Sequence, residues 1–119
     1  MVYRIFGATI VARIDRGEEI VSSVKNICKK ENVMLASISA LGAVDHAVVG
    51  LYQVTEKKYI PNTFDGEMEM TSLVGNVTTR DGEVYLHMHA DFADGDGHVF
   101  GGHLNEAIVS GTCELFIHT

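Results

Sequence analysis

In the second half of this chain the turn signals stand too close together for any connection except an antiparallel return. Asp65-Gly66, Asp81-Gly82, Asp94-Gly95-Asp96-Gly97 and Ser110-Gly111 are each separated by one strand-length stretch. A parallel pair needs a crossover of about a dozen residues or more in addition to its strands, and no such length is left here. The stretches Glu67–Thr78, Glu83–Ala93, His98–Val109 and Thr112–His118 therefore predict successive antiparallel strands.

The first half contributes the helix. Ile20, Val21, Val24, Ile27 and Cys28 recur at helical spacing and mark one buried stripe within a helix of about residues 16–31. Asp15 and Glu18 form a capping-box-like pair at its start, and Asn32 ends it. Met1–Ile14 reads as one strand with Gly7 as a bulge. Val33–Leu41 is a second strand, Gly42 breaks it, and Val44–Val54 is a third. Residues 56–63 read as a loop or short edge segment, a place that suits Pro61. The expected fold is α+β: a mainly antiparallel sheet with one long helix packed on it.

At 119 residues, 46% of them apolar, the chain is expected to form a single domain, 1–119, with one core and no need of a disulfide. Its two cysteines, Cys28 and Cys113, fall on apolar faces and read as buried free thiols. Lys and Arg number 9 against 16 Asp and Glu, a formal charge of −7. Non-specific DNA affinity comes mainly from cationic side chains displacing counterions, so this balance disfavours direct DNA binding. No stretch reads as a membrane-spanning helix. Ile5–Ala12 is apolar after Arg4, but its β-branched content favours a strand over a signal peptide, and a cytoplasmic location is expected.

The chemistry concentrates in the histidines. Side chains alternate along Val84–Phe92, so Tyr85, His87, His89 and Asp91 share one face. Two strand rises set the Cα atoms of His87 and His89 about 6.7 Å apart, close enough for both rings to meet one ion. A hairpin closed at Asp94–Gly97 brings His103 opposite Met88 or His89. Three neutral imidazoles suit Zn²⁺ first, with Fe, Ni or Cu as other choices, and leave a position open for water and Lewis-acid or hydrolytic chemistry. Asp91 is placed to orient a ligand ring. A His-x-His pair alone reads as a half-exposed strand face. The returning His103 makes a ligand set an equal reading.

Other signals are weaker. Asp94 and Asp96 read as turn chemistry, since a calcium loop needs a later carboxylate. Glu67 and Glu69 read as a solvated strand face, with an acid/base role near a metal as the alternative. His46 and His118 read as isolated surface or interface histidines, and His98 is assigned no role.

Gly-Glu-Val-Tyr-Leu-His-Met-His-Ala-Asp, followed by Asp-Gly-His-Val-Phe-Gly-Gly-His-Leu, resembles the PPC domain family (plants and prokaryotes conserved, DUF296). Leu41-Gly42-Ala43-Val44 and Leu73-Val74-Gly75-Asn76-Val77 extend the likeness over essentially the whole chain. The resemblance, closest to prokaryotic single-domain members, implies a homotrimer and carries a DNA-binding, regulatory label. It places family histidines at His87, His89 and His103. In plant relatives the DNA contact belongs to an attached AT-hook, and this sequence contains no Arg-Gly-Arg-Pro core. Three readings follow: a trimeric metal-binding domain with a DNA-binding label, a metal-dependent enzyme acting on a small molecule, and a protein-interaction scaffold without chemistry.

Overall fold

The computed structural model describes residues Met1–Thr119. It has the expected α+β composition: six strands and one helix. In chain order they are β1 (Val2–Phe6), β2 (Thr9–Asp15), α1 (Ile20–Lys30), β3 (Ala36–Gln53), β4 (Lys58–Arg80), β5 (Glu83–Ala93) and β6 (Val99–His118). All pairings are antiparallel, in the order β1-β2-β6-β3-β4-β5. β5 also pairs back with β6, so β3, β4, β5 and β6 close into a ring. Closure removes two exposed edges and fixes the register between the paired-histidine strand and the returning arm.

Strand boundaries differ from the sequence reading in a consistent way. Met1–Ile14 is a hairpin rather than one strand, because Gly7 adopts φ 59 and reverses the chain between β1 and β2. The segments on either side of Gly42 form the single strand β3. Gly42 lies within it at a shift of register against both neighbours, where a Cβ would collide with the backbone of Thr112 in β6. Residues 58–63, expected as a loop or short edge, belong to β4, where they pair with β3 and leave Pro61 on the outer edge. Asp65-Gly66 and Ser110-Gly111 are irregularities inside β4 and β6 rather than turns between strands, since the register against β3 shifts there and then continues. Asp81-Gly82 does make a tight hairpin turn, with φ of 53 and 80.

The helix begins later than expected. Glu18 Oε1 does accept the Asp15 amide (2.8 Å), but this pair closes a turn ahead of the helix. Residues 17–19 bond instead to β6, with the Gly17 amide donating to the Val109 carbonyl and the Val109 amide to the Glu18 carbonyl. Glu19 is the true N-cap. Its carboxylate accepts the amides of Val21 and Ser22 and also that of Ala107 in β6, so it fastens the helix start to the sheet. Lys29 and Lys30 lie in the last turn, where the helix dipole favours cations, and Asn32 at φ 55 follows the end.

One core of 26 buried residues fills the space between helix and sheet, centred on Phe92, Ile14, Ile20, Ile27, Leu73, Leu115 and Ile117. Cys28 and Cys113 lie within it as free thiols, and burial pushes their pKa values to about 11 and about 12. No helix is long and apolar enough to cross a membrane.

Candidate metal centre

The pleat of β5 decides which side chains reach the site. Met88, Ala90 and Phe92 are buried in the core, so His87, His89 and Asp91 project from the opposite face. β6 returns in the register that sets His103 against His89, Gly102 against Ala90 and Gly101 against Asp91. Of the two pairings open from the sequence, the structure has His89 with His103. The three imidazoles converge: His87 Nε2 and His89 Nε2 lie 3.2 Å apart, and one ring nitrogen from each histidine falls within 4.8 Å of the others.

That donor set fits a transition metal. Zn–N bonds of about 2.0–2.1 Å in a tetrahedron imply N···N separations near 3.4 Å, which the His87–His89 pair already matches. The His103 nitrogen lies within 4.8 Å of both. Burial first, and the neighbouring His87 and His89 second, push His103 below the ordinary imidazole range, favouring the neutral form that a metal ligand requires.

The histidines stand between two hollows. One, about 400 Å³, is lined by Gly50, Leu51, Tyr52, Tyr59, Gly102 and the three histidines. The other, about 290 Å³, is lined by Val74, Gly75, Asn76, His87 and His89. Tyr59 was not legible as a site residue, because its segment read as a loop or short edge segment. Its ring lies across Gly50, where any Cβ would overlap it, and edge-on to His103 with centroids 6.3 Å apart. Asn105 Nδ2 donates a hydrogen bond to Tyr59 Oη (2.7 Å). The one available sequence signal was Gly50 inside an apolar strand, a mark of close approach.

Asp91 shares the histidine face, but its carboxylate turns onto Gly101, where a Cβ would meet its Oδ1 at 2.5 Å. It makes no hydrogen bond to the three rings. Glu67 and Glu69 line a separate hollow with Asp94, Gly95 and Ser110, away from the histidines. Asp94 Oδ1 accepts the amides of Asp96 and His98, which is the turn chemistry expected of that loop. His118 lies within 3.4 Å of the Thr9 hydroxyl at the far end of β6. His46 is not isolated. Its Nδ1 meets Asp65 Oδ1 at 2.6 Å and its Nε2 meets Glu106 Oε2 at 2.9 Å, which ties β3 to both neighbouring strands and raises the imidazole pKa, Asp65 contributing most.

The family profile of the Plants and Prokaryotes Conserved (PCC) domain matches residues 1–119. The chain belongs to this family. Among solved PCC-like structures, a plant- and prokaryote-conserved protein of Pyrococcus horikoshii is 35% identical, with 98% of this chain and 80% of that one covered, at a TM-score of 0.87. A metal-containing protein of Archaeoglobus fulgidus is 34% identical over 98% of this chain and 83% of its own, also at 0.87. A Bacteroides thetaiotaomicron protein provisionally named as DNA-binding reaches a TM-score of 0.96 at 29% identity, covering 98% of this chain and 82% of that one. A comparison with curated proteins gives no match. For a PCC domain, the three clustered histidines and the hollows beside them are the feature with chemical capacity.

Proposed function

We propose that this PCC domain holds one divalent metal ion, Zn²⁺ in first place, on His87, His89 and His103, and works as a homotrimer. The observation that carries the metal is the approach of three imidazole nitrogens to within 4.8 Å on a strand face held by ring closure. The Archaeoglobus relative, described as metal-containing, supports it. The ion would supply Lewis acidity at a position open to a ligand. The trimer rests on surface chemistry: Val2, Phe6, Leu41, Val74 and Phe116 are exposed apolar side chains, and β1 leaves an unpaired edge. Two free thiols suit a reducing compartment such as the cytoplasm.

Elemental analysis of untagged protein tests the site. About one metal ion per chain is expected, and none in the His87→Ala/His89→Ala double variant. Unchanged metal content in that variant refutes the assignment. Light scattering after size exclusion reads the trimer, and a monomer at micromolar concentration removes it.

A second reading, a metal-dependent enzyme acting on a small molecule, draws support from the hollow of about 400 Å³ beside the histidines. The DNA-binding label has less behind it. The formal charge is −7, and no Lys or Arg lines either histidine hollow. Binding to duplex DNA that weakens steeply with salt would reinstate it.

A further inference from the structure

The hollow over the histidines has an unusual charge balance. Its lining contains no Asp, Glu, Lys or Arg, and neither does that of the hollow on the other side of His87 and His89. Three neutral imidazoles leave a bound divalent cation with both of its positive charges. Asp91, whose carboxylate is on the same face of β5, is folded onto Gly101. No side chain of the lining offsets that charge, so an anionic ligand is favoured over a neutral one of the same shape. Phosphates and nucleotides are poorer candidates. They present several anionic oxygens, no basic side chain lines the hollow to hold those the ion leaves unbound, and the chain as a whole repels polyanions at a net charge of −7. A monocarboxylate needs only one anchoring charge and one or two hydrogen-bond donors.

The protein supplies such a donor. Tyr59 Oη already accepts from Asn105 Nδ2, so the phenol's own hydrogen remains free to donate. Gly50 leaves room for the phenol end of the ring over β3 beside His103, and Asn105 holds the hydroxyl there. Leu51 and Tyr52 form an apolar flank. A volume of about 400 Å³ falls at the lower end of the range for small-molecule sites.

We propose that the hollow binds a small monocarboxylate with a short apolar chain, its carboxylate facing the histidine centre and accepting a hydrogen bond from Tyr59. This rests on the metal reading above and extends it to a ligand class. Tyr59, Asn105 and Gly50 act as the positioning set.

The test uses Co²⁺-loaded protein, whose visible absorption reports changes at the ion. Metal content is measured first, and variants are compared at equal loading. Isobutyrate is the probe, with isobutanol and inorganic phosphate as controls. A saturable spectral change with isobutyrate is expected, little or none with isobutanol, and a weaker response with phosphate. Tyr59→Phe, which keeps the ring, is expected to weaken isobutyrate about tenfold, the scale for losing one hydrogen bond to a charged group. With one Co²⁺ bound per chain, a spectrum indifferent to isobutyrate overturns the proposal and leaves the metal reading standing. So does an equal affinity in Tyr59→Phe, or a stronger response to phosphate or isobutanol. Failure of Co²⁺ to bind above the level of His87→Ala/His89→Ala removes the metal reading and this proposal with it.

Discussion

Replacing His46 with Gln isolates the link between β3 and its two neighbours. The imidazole bridges Asp65 in β4 and Glu106 in β6, at the place where the β3 register shifts against both. Its folded-state pKa is raised above 6.5, by the Asp65 hydrogen bond first and the Glu106 hydrogen bond second. The sign of the linkage follows. A raised pKa contributes stability that is fully present below the ordinary imidazole value and is lost as pH rises through the folded-state value. The side chains of Asp65 and Glu106 are 71% and 49% exposed, so solvent screens both pairs. Exposed pairs contribute about 0.2–1 kcal/mol each, which makes roughly 1 kcal/mol the scale for the bridge when His46 is charged. In a domain of this size that is about 4 °C in Tm.

The assay is thermal unfolding of wild type and His46→Gln at equal protein concentration, with a chelator present, from about pH 5.5 to 8.5. Subtracting the two curves cancels the titration of the other histidines. The difference should be largest at the acid end and shrink as pH rises. Neutral His46 then sets a ring lone pair against one carboxylate, which removes the benefit at that contact. A difference independent of pH, or one that grows with pH, would falsify the bridge as the origin of the effect.

Phe92 is completely buried at the centre of the core, and Phe92→Ala should cost about 3–5 kcal/mol in urea unfolding; a loss under 1 kcal/mol would mean the core is centred elsewhere. Glu19→Ala removes an N-cap that also accepts the Ala107 amide, so a loss of about 1–2 kcal/mol is expected, and it should exceed that of Glu31→Ala at the other end of the helix. Cys28 and Cys113, with thiol pKa values of about 11 and about 12, should resist iodoacetamide at pH 8 in the native protein and react once it is unfolded; rapid native labelling contradicts their burial. Zn²⁺ at a hundred times its Kd should stabilise wild type by about 2.7 kcal/mol and leave the His87→Ala/His89→Ala variant unmoved.

Local patterning carried much of the architecture. The helix stripe, the pleat of β5 and the hairpin turn at Asp81-Gly82 depend on residues close in sequence, and each has the expected form. The histidine site was legible for the same reason. His87 and His89 share a face by alternation, and a short return brings His103 to them. Tertiary pairing decided the rest. An Asp-Gly or Ser-Gly pair permits either a reversal or a bulge, and the choice depends on whether the next stretch stays beside the same neighbour. At 65–66 and 110–111 it does, so β4 and β6 run on. Residues 17–19 gained β6 as a hydrogen-bonding partner, which moved the N-cap from Asp15 to Glu19. Tyr59 beside His103, and His46 between Asp65 and Glu106, are contacts between strands far apart in the chain. Their partners are chosen by sheet register, to which no local periodicity is sensitive.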